Sequence, residues 1–204
     1  MTPLEDVVLI VSDDRAAVEA DLAAGRLLCP RCRVGVLGGW GCARLRGVWT
    51  CEGVRRLRPR RGRCRDRSCR ATHVLLPDVC LARRRYVVEV VGEALLSAGR
   101  EGYRRAGERL GVPGETVRDW RRRFQSRAEL ITGHFLRWAR ALDGSLDSLL
   151  GQGSLVADAL GAIGVCTRVA SLRLGGRSPW SWASALTAGG LLSINTSPPW
   201  PVPE

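Results

Sequence analysis

The sequence has no lysine. All 32 of its basic residues are arginine, set against 20 aspartates and glutamates, for a formal net charge of +12. A GC-rich gene produces that substitution without selection on the protein, so where the arginines fall says more than their identity. Histidine is nearly missing too, with two residues, which gives a serine or cysteine nucleophile activated by imidazole no support. The start, MTPLEDVVLIVSDD, is acidic and lacks a charged leader region, so no secretory signal is expected. Residues 178–203 carry no charge, but their prolines, their serines and Gly189-Gly190 argue against a spanning helix, and no membrane association is expected. Clustered carboxylates are also lacking. Beyond Phe124 only Glu129, Asp143, Asp147, Asp158 and Glu204 remain, too few and too scattered for two-metal strand cleavage. The expectation is a protein that is not an enzyme and takes no small-molecule substrate.

What is present is unevenly placed. Residues 26–140 hold 28 arginines against 10 acids, whereas residues 1–25 hold one against six and residues 141–204 three against four. Positive charge gathered in the middle of a chain is the footprint of a polyanion-binding surface. Within it, Arg55 to Arg70 is an arginine run interleaved with Leu57, Pro59 and Gly62. A solvated face and a non-specific grip on a phosphate backbone account for that run equally well.

Eight cysteines without a secretory signal point to metal before disulfides. Cys29-Pro-Arg-Cys32 has the two-residue spacing that lets two thiolates hold one tetrahedral ion. Cys64 and Cys69 follow with four residues between them, and His73 lies just beyond. The expected ligands of a structural Zn2+ are Cys29, Cys32, Cys64 and Cys69, with His73 as an alternative. Between the two pairs, short apolar segments around Val36, Trp40, Leu45, Val48, Trp49 and Val54 read as strands. Two knuckles joined by strands make a zinc-ribbon-like unit over 26–80, with metal replacing a small core. Cys42, Cys51, Cys80 and Cys166 lack knuckle spacing and read as small buried residues.

Arg104 to Phe124 reads as a helix, a tight turn and a second helix. Ala106 and Leu110 share a face, Gly111 stands where a left-handed cap is needed, and Pro113 suits the first turn of the next helix. Val117, Trp120 and Phe124 form one apolar stripe facing back, and Gly107 is small where the helices would cross. With Tyr86 to Ser97 as a preceding helix, the unit 81–125 is a homeodomain-like three-helix helix-turn-helix. The outward face of the second helix carries Glu115, Thr116, Arg118, Asp119 and Arg122. In such a unit Arg118 reads guanine, Thr116 reaches a base or phosphate, and Arg121, Arg122 and Arg123 grip phosphates.

The rest is organised around these units. Residues 1–25 form an acidic segment, with a strand at Val7 to Val11 and a helix capped by Ser12. It either packs on the metal site or shields basic surface. Residues 126–150 carry an amphipathic stripe through Leu130, Ile131, Phe135, Trp138, Leu142, Leu146 and Leu149, beside which His134 reads as a packed residue. That stripe docks on the three-helix core or joins two copies as a homodimer. Residues 151–204 are a glycine-rich, helical tail region with helices expected at Leu155 to Leu174 and after Ser178-Pro179. The fold class is α+β, mostly α.

The stretches CPRC at 29–32, CRDRSCRATHVLLP at 64–77, and ARRRYVVEV through TVRDWRRRF at 82–124 carry a resemblance. Over roughly residues 20–140 the chain resembles the N-terminal DNA-binding part of insertion-sequence transposases. It is closer still to actinobacterial proteins that keep a zinc ribbon and a helix-turn-helix without a catalytic domain. In those relatives a two-residue knuckle directly precedes a Thr-His pair. Thr72-His73 is present here, but the spacer before it is longer, which leaves Cys64 and His73 as competing ligands. The resemblance implies a cytoplasmic, nucleoid-associated binder of double-stranded DNA, acting at promoters or at mobile-element ends. The alternatives are an accessory or remnant of a transposase, or a ribbon module that binds RNA or protein.

Overall fold

The computed structural model describes residues 8–146, 151, 153–192, 200 and 203. Val7, Asp147, Leu149 and Glu204 lie outside the described residues, as does most of the tail around Trp200. The fold is α+β, with seven helices and two small sheets among the described residues.

The first sheet has the order β1-β6-β5-β2, built from Leu9–Val11 (β1), Leu37–Cys42 (β2), Arg60–Cys64 (β5) and Thr72–Pro77 (β6). β5 runs antiparallel to both neighbours, while β1 pairs with β6 in parallel, Ile10 opposite Leu76. Strand alternation sorts the side chains: Gly62 and Cys64 point into the core, and Arg61 and Arg63 point away. Helix α1 (Arg15–Ala23) lays Val18 and Leu22 on the same small core, with Leu37, Leu75 and two of the cysteines. The cap of α1 differs from expectation. Asp14, not Ser12, accepts the Ala16 amide at 2.8 Å, and Ser12 instead accepts the amide of Asp14. The acidic segment therefore both lines the small core and meets arginines. Asp13 pairs with Arg55 at 2.7 Å and Glu19 with Arg60 at 2.5 Å.

The second sheet is a hairpin of Arg46–Thr50 (β3) and Gly53–Leu57 (β4). It belongs to the larger core. Val48 and Leu57 are buried among helical residues, and Trp49 exchanges backbone hydrogen bonds with Arg85 and Val87 just before α2. Helices α2 (Val88–Glu101), α3 (Tyr103–Leu110) and α4 (Gly114–Gln125) follow, with Gly102 at φ 85° breaking the first from the second.

Helix α5 (Ala128–Leu142) ends where Asp143 turns extended. Its Ile131 and Phe135 are fully buried, covered within the chain by α6 (Leu155–Leu174), which presents Ala159, Ala162 and Cys166. By length and composition α6 is the one described helix that could cross a membrane. Helix α7 (Pro179–Leu186) starts with Ser178 as cap and Pro179 in its first turn, then returns to α2, where Trp180 lies over Gly92. A Cβ at Gly92 would sit 1.9 Å from the indole. His134 is buried, with Nε2 2.8 Å from the Leu186 carbonyl, and burial lowers its pKa.

Candidate metal centre and basic helical face

The sulfurs of Cys29, Cys32, Cys64 and Cys69 all lie within 4.8 Å of one another. Two of the edges are 3.8 Å (Cys29 to Cys69) and 3.7 Å (Cys32 to Cys64). A tetrahedron with metal–sulfur bonds of about 2.3 Å has edges of about 3.8 Å. Those spacings are far beyond a disulfide bond of about 2.05 Å. Four soft thiolates in that arrangement fit a tetrahedral metal ion.

The first pair is held by a backbone turn. Arg33 N donates to Cys29 O at 2.8 Å, Gly35 N donates to the Cys32 sulfur at 3.3 Å, and Cys29 N returns to Gly35 O. The amides of Val34 and Gly35 pull the Cys32 thiol down to about 6, which favours the thiolate that a metal ion binds. Burial pushes Cys64 up to about 12 when no cation is bound.

The four-residue spacer of the second pair has a geometric explanation. Arg70 N donates to Asp66 O at 3.0 Å, repeating the Arg33-to-Cys29 bond of the first turn. Arg33 and Arg70, each just after the last cysteine of its pair, both take left-handed backbone angles, φ 57° and 46°. Asp66 thus occupies the position that Cys29 fills in the first turn, and the sulfur that joins the group comes from Cys64, two residues upstream at the end of β5. The Asp66 carboxylate ties the turn together by accepting from the Ser68 hydroxyl and from the amides of Ser68 and Cys69. Those bonds hold it below the usual carboxylate pKa. Gly35 makes room for the offset, since a Cβ there would lie 2.5 Å from the Cys64 sulfur and 2.8 Å from Asp66 Cβ.

His73 is brought to the site but stands outside the four-sulfur group. Its Nε2 is buried 3.3 Å from the Cys29 sulfur, within hydrogen-bonding distance of it. Of the remaining cysteines, Cys80 and Cys166 are buried thiols pushed up to about 11 and about 12 by burial. Cys42 is half-buried beside Arg60, and Cys51 is exposed rather than buried as expected.

In the helical body, Gly111 closes α3 at φ 63° and Pro113 caps α4. A Cβ on Gly107 would meet Val112 O at 2.5 Å and Gly114 Cα at 3.1 Å, so α3 touches the turn and the start of α4 at backbone distance. Val117, Trp120 and Phe124 bury one face of α4, and Tyr86 meets Trp120 edge-on at 5.0 Å. The opposite face holds Glu115, Arg118, Asp119 and Arg122 in solvent, with Thr116 half-buried at its side. Glu115 and Arg118 form an ion pair one turn apart at 2.5 Å. Arg121 is exposed but donates to Ala98 O, which ties it to the end of α2. Arg123 is half-buried and close enough to Arg84 to help lower that guanidinium's pKa, after the larger effect of burial.

Asp66 and Gly35 are the residues that spacing alone did not single out. The signal was an acid two residues after Cys64, at the place a knuckle's first ligand occupies. Comparison with protein-family models, with curated proteins and with solved structures finds no match to this chain.

Proposed function

We propose that the chain is a non-enzymatic DNA-binding protein, a transcriptional regulator or a transposase-derived DNA binder, that reads duplex DNA with α4. The observation carrying this reading is the two-sidedness of α4. Its apolar face is buried in the core, and Glu115, Arg118, Asp119 and Arg122 are left together in solvent, as on the recognition helix of such a unit. The close contact at Gly107 and the left-handed Gly111 support a helix-turn-helix with α3 crossing the backbone. Arg118, steadied by Glu115, contacts base edges, and Thr116 reaches a base or phosphate. Arg121, Arg122 and Arg123 grip phosphates, where an anion relieves the repulsion between Arg123 and Arg84.

Zinc is the ion this reading assigns to the four thiolates, in a ribbon fixed by Cys29, Cys32, Cys64 and Cys69. It is redox-inert, prefers a closed tetrahedral sulfur shell and would serve structure, not chemistry. The likeness to transposase N-termini supports the pairing of ribbon and helical unit, and with it a nucleoid-associated location. Selection of bound sequences from a random duplex library, with zinc and moderate salt, tests the reading. Recovery of a motif is the expected result, and a twofold-symmetric motif would report two copies bound together. Salt-sensitive binding to every duplex without enrichment would contradict it.

A further inference from the structure

The arginine run is not uniformly used. Arg55 and Arg60 are paired with Asp13 and Glu19, yet Arg63, Arg65, Arg67 and Arg70 have no ion pair among the described residues, although Arg65 donates to the Leu22 carbonyl at 3.3 Å. Those four, with Trp40 and Gly38, line a concavity of about 470 Å³ on the outer side of β2 and β5, beside Cys64. No acid lines it, and the nearby Asp66 carboxylate is engaged by Ser68 and Cys69.

Trp40 is 52% exposed, on a strand whose alternate outward position, Gly38, has no side chain. The Arg63 guanidinium lies 4.4 Å from the indole centroid. Arg65 lies across Gly38, where a Cβ would come within 2.8 Å of its Nε, so the glycine makes the floor. A half-exposed indole with a cation on its ring, in a concavity that Arg65, Arg67 and Arg70 also line, suits a ligand with a flat aromatic part and attached phosphates. The size falls in the range of small-ligand sites. Bases inside a duplex are stacked on each other and present no face to such a surface. An unpaired base does.

We infer that Trp40, Arg63, Arg65, Arg67 and Arg70 form a binding site for an unpaired nucleotide in single-stranded nucleic acid, separate from the duplex-reading face of α4. The base stacks on Trp40 and the flanking phosphates meet Arg65, Arg67 and Arg70. The inference extends the nucleic-acid reading but does not need α4 to be a reader, because the site can be filled by a strand with no duplex.

The test measures affinity of the zinc-loaded full chain for a single-stranded thymidine octamer, a uridine octamer and a blunt-ended duplex. Trp40→Ala should weaken the better-bound octamer about five- to 150-fold, the range of one aromatic stack, and change duplex binding less than twofold. Trp40→Phe should recover most of the loss. Arg67→Glu should weaken the octamers and flatten their salt dependence. The two octamers separate deoxyribose from ribose as the preferred sugar, and preference for either supports the site. Arg118→Ala should leave octamer binding unchanged whether or not it alters duplex binding, so failure of the groove assignment is read separately. Octamer binding that is undetectable, indifferent to Trp40→Ala, or weakened by it only in step with the duplex would overturn the inference. Trp40 is half exposed and outside both buried cores, and unchanged metal content of the variant confirms that the four-cysteine unit has folded.

Discussion

Gly107 and Gly133 offer the same chemical change in two environments. Both are helical, and alanine in a helix interior is favoured over glycine by about 0.5–1 kcal/mol. At Gly133 a Cβ meets nothing within 4 Å, so Gly133→Ala should stabilise by about that amount. At Gly107 the Cβ would lie 2.5 Å from Val112 O and 3.1 Å from Gly114 Cα. Both obstacles are backbone and cannot rotate aside, so the turn between α3 and α4 must open. Overpacking of that kind costs about 1–3 kcal/mol, and the upper half of the range applies here. After the helix preference is subtracted, Gly107→Ala should destabilise by about 1–2 kcal/mol. Since about 1 kcal/mol moves Tm by roughly 2–4 °C in a chain of this size, the two variants should melt about 3–12 °C apart, with wild type between them. Duplex binding should fall for Gly107→Ala, because α4 is re-aimed, and hold for Gly133→Ala. If Gly107→Ala melted at or above wild type with full duplex affinity, the close approach of α3 to the turn would be wrong.

Metal removal should separate the two cores. The small one has only seven buried apolar side chains among the described residues, Cys29 and Cys64 among them, so chelation should remove the four-stranded sheet's share of the strand signal in circular dichroism while the helices and the β3–β4 hairpin survive. Atomic absorption should find one zinc per chain, reduced in Cys69→Ser; a stoichiometry near zero in wild type would remove the metal from the account. His134 predicts a pH dependence. Its pKa is lowered in the fold, by burial above all, from an unfolded value near 6.5. The unfolded chain therefore binds the proton first as pH falls. Its contribution is complete above about pH 6.5 and is lost progressively below that, down to the folded pKa. The stability of wild type relative to His134→Gln, from denaturant titrations between pH 5 and 8, should be flat above pH 6.5 and decline below. Parallel curves throughout would refute it.

What could be read from the chain was local. Gly111, Pro113 and the Val117, Trp120, Phe124 stripe lie within about twenty residues, and they marked the α3–α4 pair within a residue or two of its observed ends. Cys29 and Cys32 announced themselves by spacing. Pairings between distant segments were illegible. The parallel pairing of β1 with β6 joins Ile10 to Leu76, and no pattern in either strand names its partner. The β3–β4 hairpin lies between the two cysteine pairs in sequence, yet it packs with the helices because Val48 and Leu57 face α2 and not the sheet. The longer second spacer left Cys64 and His73 as rivals. The structure groups the Cys64 sulfur with the other three and leaves His73 beside Cys29, and the backbone bond from Arg70 to Asp66 gives the second turn the form of the first with its cysteine two residues upstream. The long helix expected over 126–150 ends at Leu142 in α5, with Leu149 outside the described residues, and its partner, α6, is apolar on most sides and carries little periodic signal.

If α4 reads bases while its arginines grip phosphates, Arg118 and Arg123 should respond differently to substitution. The direct measurement is equilibrium binding of wild type, Arg118→Ala and Arg123→Ala to a selected duplex and to a scrambled one, across a salt series. Arg118→Ala should shrink the difference between the two duplexes by about 1–3 kcal/mol, localised to one base position. Arg123→Ala should weaken both duplexes alike and reduce the salt slope by about one. Identical behaviour of the two variants on both duplexes would contradict the assignment of α4 to the groove.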